Sequence, residues 1–482
     1  MNYKIMGRFI AQILIIEGLF MVPAAAISTG YGEWRSVQSF LLTIAMILAT
    51  WGMLMLLCRK APKNMGAKDG LVCVGLSWIV LSLFGCLPFW FSREIPNFVD
   101  AFFETVSGFT TTGASILNDV EALPWGMLYW RSFTHWVGGM GVLVFLLAVA
   151  PSEGNKGFTM HLLRAESPGP SVGKLVPKMR KTAAILYVIY ISLTIIDFLF
   201  LLAGNMPTIE AVCTALGTAG TGGFGIKNDS LASYSPYIQN VTTVFMMLFG
   251  VNFSCYYLLL LRQFKGVFKD EELRLYIGII LTAILLIVLD VRNLYATLDE
   301  TIRHAAFQVG SIISTTGFST VDFDQWPSFS RTILLCLMVF GGCAGSTAGG
   351  MKIARVMLLL KSLRRNIRKT LNPRKVMAVR NNDAVVDEQI LDNANAYLAA
   401  YFVILFALFL VVSLDGYSIG TNFTAVLCTF NNIGPGLEAV GPMCNFSIFS
   451  DFTTFVLSIG MLAGRLEIFP ILVLFSRSAW KK

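Results

Sequence analysis

The chain has 482 residues, of which 55% are hydrophobic and only 14% are charged. Soluble proteins carry about 25% charged residues, so this chain has too little charge to cover a water-soluble fold of its size. At about 20 residues per spanning helix plus loops, it has room for roughly ten membrane crossings and not for a large extramembrane domain as well.

Ten apolar runs follow one another along the chain. They lie near 9–29, 39–58, 70–91, 125–150, 183–204, 238–261, 275–291, 329–360, 396–414 and 448–475. The first run ends in a Pro-Ala-Ala-Ala sequence at 23–26 that resembles a cleavable signal. Because Gln12 and Glu17 interrupt it and its length suits a full crossing, we predict a retained helix.

The net charge of +8 would suit nucleic acid only if the basic residues formed one solvated face. Instead, 29 of the 37 Lys and Arg residues lie in alternate segments between the runs, and seven lie in the others. The positive-inside rule then predicts that both termini are cytoplasmic. We therefore predict contact with anionic membrane lipid and no nucleic-acid partner. The densest basic segment, 361–380, is either a topology signal or a docking surface for a cytoplasmic partner.

Catalytic and metal motifs are missing from the sequence. The nine cysteines include no CxxC pair, and His135, His161 and His304 are far apart. A membrane-embedded enzyme would need clustered catalytic residues, so we predict that the chain is not an enzyme.

Four segments of about twelve residues are too short to span a membrane: 98–109, 208–219, 301–312 and 421–432. A loop of small residues follows each one, and we name these the first (110–114), second (220–224), third (314–318) and fourth (431–435) glycine loops. Their aligned glycines are Gly113, Gly223, Gly317 and Gly434. The sequence thus predicts one unit four times: helix, short re-entrant helix, glycine loop, helix.

Four such loops favour a cation pore. Non-helical backbone survives at membrane depth only where protein or a water-filled cavity covers it. Its carbonyl oxygens can replace the hydration shell of a monovalent cation, and glycine permits the backbone geometry that this requires. The alternative, that glycines only allow close helix packing, is weaker for four loops in equivalent positions. The second loop also matches the letters of a dinucleotide fingerprint, which we reject because no strand precedes it.

The glycine loops, together with Gly-Gly-Cys-Ala-Gly-Ser-Thr-Ala-Gly-Gly-Met-Lys at 341–352 and Gly-Met-Leu-Ala-Gly-Arg-Leu-Glu at 460–467, resemble the Trk/Ktr/HKT superfamily of potassium transporters. The resemblance covers nearly the whole chain, and two additional N-terminal helices make it most similar to the bacterial TrkH and TrkG group. It implies an all-α polytopic protein of the bacterial cytoplasmic (inner) membrane, with four pseudo-symmetric repeats around a potassium path. It also implies a homodimer and a cytoplasmic TrkA-type regulatory subunit, which binds the nucleotide in place of this chain.

The loops and the resemblance together give a predicted potassium-binding filter. It comprises Thr111, Thr112, Gly113, Thr221, Gly222, Gly223, Thr315, Thr316, Gly317, Asn432, Ile433 and Gly434. The second and fourth loops depart most from the Thr-Thr-Gly pattern. In plant relatives a serine at the first-loop glycine is associated with sodium transport, so Gly113 favours potassium.

A gate is predicted in run 329–360. As one helix it would be about 48 Å long at about 1.5 Å per residue, well over a hydrocarbon core of about 30 Å. Glycine pairs at 341–342 and 349–350 bracket small residues, so we predict a break and an obstructing loop; the alternative is small-residue helix packing. The predicted gate residues are Gly345, Ser346, Thr347, Ala348, Gly349, Gly350, Lys352 and Arg465.

Arg465 is the one basic residue that belongs to neither set of segments, and it lies inside the last run, where a charge is costly and usually faces a cavity or a partner. The resemblance places it on the pore side below the filter, where it would repel a cation and contact the gate loop. The alternative is a structural ion pair. Glu467, two positions on, lies on roughly the opposite helix face and is a poor partner.

The leading function is potassium uptake through a pore gated on the cytoplasmic side. A proton- or sodium-coupled symporter is the alternative, with Glu17, Glu104, Asp197 and Glu467 as titratable candidates inside the membrane. We expect five units: N-terminal helices at 1–68, and repeats at 69–181, 182–273, 274–391 and 392–482.

Overall fold

The computed structural model describes residues 2–59, 67–141, 179–374, 377–382 and 384–480. Nearly all regular structure in these ranges is helical, which confirms the predicted all-α class. The strands described there, β1 (Arg380–Asn381) and β2 (Ala384–Val385), form one antiparallel hairpin in the basic segment.

Two helices precede the repeats. Helix α1 (Tyr3–Gly30) continues through Pro23 without a break, and α2 (Trp34–Leu57) packs beside it. The Glu33 carboxylate, in the turn between them, accepts hydrogen bonds from the backbone N–H groups of Trp125 (2.6 Å) and Gly126 (3.1 Å). The N-terminal pair is thereby fixed to the first turn of a helix in the first repeat.

The helices of the four repeats follow in chain order. The first repeat has α3 (Ala67–Gly85), α4 (Leu87–Ser92), α5 (Phe98–Phe109) and α6 (Trp125–Gly139). The second has α7 (Met179–Ala203), α8 (Thr208–Gly220), α9 (Pro236–Phe249), α10 (Phe253–Leu260) and α11 (Phe264–Lys269). The third has α12 (Glu271–Val291), α13 (Leu298–Ile313), α14 (Ser328–Val339) and α15 (Ile353–Leu371). The fourth has α16 (Glu388–Val412), α17 (Ile419–Phe430), α18 (Asp451–Arg465), α19 (Phe469–Phe475) and α20 (Arg477–Trp480). Short 3₁₀ turns occur at Phe323–Gln325, Ser413–Asp415 and Glu438–Val440.

The four repeats close into a ring. The short helix of each repeat packs against the second helix of its own repeat: α5 on α6, α8 on α9, α13 on α14 and α17 on α18. Each short helix also packs against the second helix of the preceding repeat: α8 on α6, α13 on α9, α17 on α14 and α5 on α18. The last contact joins the fourth repeat to the first, so the short helices line one common centre.

Six of the ten predicted runs are helices long and apolar enough to cross a membrane, within the described ranges. The other four runs are the second helices of the repeats. The break predicted in run 329–360 is present, because α14 ends at Val339 and α15 begins at Ile353.

Two further breaks, which we did not predict, interrupt runs 238–261 and 448–475. Helices α9 and α10 meet at 91°, because the Asn252 side chain accepts a hydrogen bond from Ser254 N (2.9 Å) and starts a new helix. Helix α18 stops at Arg465, and α19 restarts with Pro470 in its first turn. In run 125–150, α6 ends at Gly139 and residues 142–150 lie outside the described ranges.

Each predicted repeat boundary falls a few residues inside the first helix of the repeat that it opens. The described parts of these helices begin at 67, 179, 271 and 388, whereas the sequence predicts boundaries at 69, 182, 274 and 392. The cause is polar residues in the first turns, such as Glu271 and Glu388, which the apolar pattern did not assign to the helices.

Candidate functional site

The four glycine loops share one backbone structure. The residue two positions before each aligned glycine has a left-handed conformation, with φ of 54° at Thr111, 53° at Thr221, 57° at Thr315 and 55° at Asn432. The aligned glycines also have positive φ: 79° at Gly113, 76° at Gly223, 89° at Gly317 and 97° at Gly434. In every loop the residue before the glycine donates its N–H to the carbonyl five positions earlier, over 2.8 to 2.9 Å. This is the Schellman pattern that ends a helix, repeated four times.

The loops contact one another in a closed cycle, which the space around each glycine shows. A Cβ on Gly113 would lie 2.1 Å from the Gly222 carbonyl oxygen, and one on Gly223 would lie 1.9 Å from that of Thr316. A Cβ on Gly317 would lie 2.1 Å from the Ile433 oxygen, and one on Gly434 would lie 2.8 Å from the Thr112 oxygen. Each loop therefore places a carbonyl oxygen against the glycine of the preceding loop. All twelve predicted filter residues are brought together in this ring.

The polar side chains of the ring bind one another and the neighbouring elements. Asn432 donates from Nδ2 to Thr112 Oγ1 and to the Met461 carbonyl oxygen, both over 3.0 Å, which joins the fourth loop to the first. Thr316 Oγ1 and Ser314 Oγ lie 2.6 Å apart, and Thr112 Oγ1 pairs in the same way with Thr110 (2.8 Å). The oxygens of the ring are thus backbone carbonyls, hydroxyls and one amide.

His135 explains why the second loop departs from the Thr-Thr-Gly pattern. Its imidazole is buried and lies where the first and third loops carry a threonine side chain: a Cβ on Gly222 would be 2.2 Å from His135 Cγ. His135 Nδ1 is 2.8 Å from the Gly108 carbonyl oxygen, and the N–H of Phe224 donates to Nε2 over 3.3 Å. Sequence reasoning missed this residue, because no local signal links it to a loop almost ninety residues later.

A buried ion pair contacts the end of the second glycine loop and the residue that follows it. Arg131 Nε is 2.5 Å from Glu104 Oε1, and both side chains are almost completely buried. Arg131 also donates to the Gly225 carbonyl oxygen (2.8 Å), and its guanidinium lies 3.6 Å from the centre of the Phe224 ring. Glu104, a coupling candidate from the sequence, is therefore paired within the fold.

A cavity of about 150 Å³ opens on one side of the ring and is lined by all four aligned glycines. Near its rim, Glu438 accepts hydrogen bonds from Ser418 and Thr421, the first of which caps the start of α17. The hydrogen bond from Ser418 is the main cause that lowers the pKa of the Glu438 carboxyl from its ordinary value. This carboxylate stabilises the outer end of the fourth short helix.

On the side of the ring opposite the cavity, residues 340–352 form a compact loop, which we call the intramembrane loop. Its two ends meet, because Gly341 N donates to the Met351 carbonyl oxygen over 2.8 Å. A Cβ on Gly341 would be 2.0 Å from the Gly349 carbonyl oxygen, so only glycine fits at this neck. The predicted gate residues from Gly345 to Gly350 all lie in this loop.

The intramembrane loop touches the ring directly. Gly349 N donates to Thr315 Oγ1 over 2.6 Å, and a Cβ on Gly349 would be 2.7 Å from Asn432 Cβ. The loop is also bound to the break between α9 and α10, where Cys343 N donates to the Gly250 oxygen (2.9 Å). It therefore fills the space between the ring and the broken helix of the second repeat.

Two cations bind the carbonyl oxygens of this loop. Arg465 donates from Nη1 to the Thr347 oxygen (2.9 Å), and from Nη2 to the Gly138 (2.5 Å) and Gly139 (2.9 Å) oxygens. Lys352 Nζ donates to the Ala348 oxygen and lies 3.4 Å from the Gly349 oxygen. The predicted contact between Arg465 and the loop is present.

Glu467, which follows Arg465 closely in sequence, is bound elsewhere. Its carboxylate pairs with Arg355 of α15, and the Arg355 guanidinium also lies 4.1 Å from the centre of the Tyr397 ring. This pair joins the break after α18 to the helix that follows the intramembrane loop.

No group of three or more His, Cys, Asp or Glu side chains could hold a metal ion among the residues that the structure describes.

Comparisons with known proteins agree with this architecture. The model of a family described as TrkH, cation transport protein, matches residues 36–482. The chain is 34% identical to the Trk system potassium uptake proteins TrkH of Salmonella typhimurium and of Escherichia coli K12, over 100% of both chains. It is 31% identical to TrkG of Escherichia coli K12, over 100% of this chain and 99% of the relative. The crystal structure of the potassium transporter TrkH from Vibrio parahaemolyticus matches with a TM-score of 0.88 and 31% identity, over 100% of both chains.

Proposed function

This chain belongs to the TrkH family of cation transport proteins, and from that premise we propose that it takes up potassium through the ring of glycine loops. It is a transporter and not an enzyme. The observation that carries the proposal is the closed cycle of four loops with one backbone conformation. Such a ring presents carbonyl oxygens that replace the hydration shell of a monovalent cation as it enters.

Selectivity in this proposal comes from the twelve ring residues. The carbonyl oxygens of Thr112, Gly222, Thr316 and Ile433 stand at the four contacts between loops, where each is crowded against a glycine. A side chain added at the glycine of one loop would therefore displace the carbonyl oxygen of the next loop. We expect a binding site with one aligned glycine per loop to be less stringent than the Thr-Val-Gly-Tyr-Gly filter of tetrameric potassium channels.

Gating in this proposal comes from the intramembrane loop. It contacts Thr315 and Asn432 on the side of the ring opposite the cavity, so an ion that leaves the ring there meets the loop. Arg465 and Lys352 add positive charge at the same place, which raises the barrier for a cation. Conduction then requires the loop to move away from the ring.

A proton- or sodium-coupled symporter is the second candidate, and one observation favours it. The carboxyl groups of Glu17 and Asp197 are buried in α1 and α7, and neither has a hydrogen-bond partner among the described residues. Titratable groups inside the membrane often serve coupling. Glu104 and Glu467 are weaker candidates, because each forms an ion pair with an arginine.

The apolar helices and the bacterial homologues support a multi-pass protein of the bacterial inner membrane. We further propose that both termini are cytoplasmic, that the chain forms a homodimer, and that a TrkA-type nucleotide-binding subunit docks on the basic segment 361–380. What supports the docking surface is the exposure of Arg364, Arg368 and Lys369 on α15. The basic segment 156–181 is a second docking candidate that we propose from the sequence alone, and it lies almost entirely outside the described residues.

The test is ion flux in proteoliposomes that contain the purified chain, with and without an imposed pH gradient. The wild type is compared with a variant that lacks 343–348, because this deletion leaves the ring residues in place and removes the obstruction. We expect potassium flux above sodium flux in both, a higher flux in the deletion variant, and no dependence on the pH gradient.

Each outcome of this experiment decides between the candidates. Flux that requires the pH gradient would favour the symporter, with Glu17 and Asp197 as the first residues to substitute. Flux that does not rise in a folded deletion variant would remove the intramembrane loop as the gate. No potassium flux in either protein would contradict the proposal.

A further inference from the structure

A carboxylate of the third repeat also holds the intramembrane loop. Glu272 lies in the first turn of α12 and is 7% exposed. Its Oε1 atom accepts a hydrogen bond from Ala344 N over 2.6 Å and a second from Ala354 N over 3.0 Å. One oxygen atom thus binds the intramembrane loop and the first turn of the helix that follows it.

Both donors are groups that the backbone itself leaves unpaired. Ala354 is in the first turn of α15, where N–H groups have no acceptor within the helix, and the N-cap residue Lys352 makes no side-chain cap. Ala344 lies in the non-helical loop. A negative charge at the start of a helix is also favoured by the helix dipole. Glu272 therefore caps α15 from another helix and captures the loop with the same atom.

Side chains of opposite charge bind different backbone groups of the intramembrane loop. Its carbonyl oxygens at 347–349 accept from Arg465 and Lys352, whereas its N–H at Ala344 donates to Glu272. Cations thus bind carbonyl oxygens of the loop, and a carboxylate binds one of its N–H groups. A loop that moves away from the ring while α15 stays in place must break the Ala344 contact. A shift of α15 that carries the loop with it must break the contacts of both alanines.

We propose that Glu272 is a positioning residue that latches the intramembrane loop in its obstructing place. The inference rests on the proposed function, in which this loop is the gate, and it adds that movement of α15 is coupled to release of the loop through one carboxylate. The latch stabilises the closed form because both of its hydrogen bonds exist when the loop contacts Thr315.

The test is potassium flux in proteoliposomes for Glu272→Ala, Glu272→Gln and Glu272→Asp. Alanine removes the acceptor, so flux should rise roughly tenfold, the factor that corresponds to one lost hydrogen bond to a charged group. Glutamine keeps an oxygen at the same reach and should stay near wild type. Aspartate is one methylene shorter, cannot reach both N–H groups and should lie between. Glu271→Gln is the matched control, because Glu271 pairs with Lys361 and not with the loop.

The same substitution in the protein that lacks 343–348 distinguishes a latch from a structural role of Glu272. In the variant that lacks 343–348, Ala344 is gone, so Glu272→Ala should add no further flux. If the deletion raises flux and Glu272→Ala does not, the latch is wrong while the gate stands. If the deletion leaves flux unchanged, the gate itself fails. Should Glu272→Ala not fold, the comparison of aspartate with glutamine decides, and equal flux in those two overturns the latch.

Discussion

At the scale of single residues, the four ring glycines are not equally crowded. A Cβ on Gly113 would meet the Gly222 oxygen at 2.1 Å, whereas a Cβ on Gly434 would meet its nearest atom at 2.8 Å. Both positions have positive φ, which costs an L side chain about 1–2 kcal/mol. The difference between them is therefore the displacement of a neighbouring carbonyl oxygen.

We expect Gly113→Ser to lower the potassium-over-sodium flux ratio by about tenfold, because it displaces an oxygen that faces the ion; this factor corresponds to about 1.4 kcal/mol of discrimination between the two ions. Gly434→Ser is the matched control, with the same side chain and a smaller effect. The measurement is the flux ratio in proteoliposomes, with elution as a single species as the check of folding. Unchanged selectivity in a folded Gly113→Ser protein would remove Gly113 from the filter.

The pair of His135 and Gly222 gives a second prediction at this scale. Gly222→Thr alone should destabilise the protein, because its Cβ would lie 2.2 Å from His135 Cγ. His135→Ala alone should also destabilise it, by about 1–3 kcal/mol for each buried polar group left unpaired at Gly108 and Phe224. In the double variant the threonine takes the space of the imidazole, as in the first and third loops.

The double variant should therefore be more stable than the two single changes predict in sum, by at least about 1 kcal/mol. Thermal unfolding of the four proteins in detergent measures this coupling. Additive losses would show that the imidazole does not replace the missing threonine side chain.

At the scale of elements, every second helix of a repeat ends at or near the level of the ring. Helix α6 ends at Gly139, α9 at Phe249, α14 at Val339 and α18 at Arg465. The ends of α9 and α18 contact the intramembrane loop, the end of α6 accepts hydrogen bonds from Arg465, and α14 leads into the loop. The breaks are thus the structural source of the gate, because an unbroken helix would have no free carbonyl to bind Arg465 or Thr347.

Arg465 tests this arrangement. Its two terminal nitrogens reach the intramembrane loop and the end of α6 at once, a geometry that a guanidinium provides and an ammonium does not. We expect Arg465→Ala to raise potassium flux roughly tenfold, through lost hydrogen bonds of a charged donor. Arg465→Lys should lie between alanine and wild type in the same proteoliposome assay.

The control for Arg465 is Arg331→Ala, which removes an arginine that is paired with Asp324 and lies in the first turn of α14, at the end of that helix away from the intramembrane loop. It should leave flux unchanged. If Arg465→Ala instead abolishes both assembly and flux, the residue is a structural member of the fold and the barrier interpretation is wrong.

The elements differ in how far sequence could predict them. The short helices and glycine loops were predictable, because each depends on a local pattern of apolar residues followed by glycine. The break after α18 was not, since it includes Ile468 at φ 71°, a conformation that a β-branched residue rarely adopts. Glu272 was also missed, because Asp270, Glu271 and Glu272 together look like the ordinary acidic start of a helix. The break after α18 and the role of Glu272 both depend on tertiary contacts, which a local sequence pattern does not show.

At the scale of the whole molecule, the closed ring joins residues that are far apart in the chain. The fourth repeat meets the first through α5 and α18, and Asn432 binds Thr112 across 320 positions. Such contacts follow from the fourfold repetition, which the sequence shows. Which atoms form these contacts depends on the side chains that differ between the repeats. The sequence alone does not show which of those side chains meet.

The basic segment on α15 gives the prediction at this scale, which concerns the proposed regulatory subunit. Among the described residues, Lys361 pairs with Glu271 and Arg365 with Glu388, so these two cations already have partners in the chain. Arg364, Arg368 and Lys369 are exposed. We therefore expect the change of these three residues to glutamine to weaken binding of a TrkA-type subunit about tenfold, since surface ion pairs contribute about 0.2–1 kcal/mol each.

The matched control changes Arg262, Lys265 and Lys269 to glutamine, which removes the same charge from exposed residues near α11 on the same predicted face. Binding is measured by pull-down and by calorimetry at two salt concentrations. A docking surface made of exposed charges predicts that the wild-type affinity falls as salt rises and that the α15 variant loses most of this dependence, because added ions screen such pairs. If both triple variants weaken binding equally, only the overall charge of the cytoplasmic face matters. If neither does, the segment 361–380 serves topology alone, and the subunit must bind elsewhere on the chain.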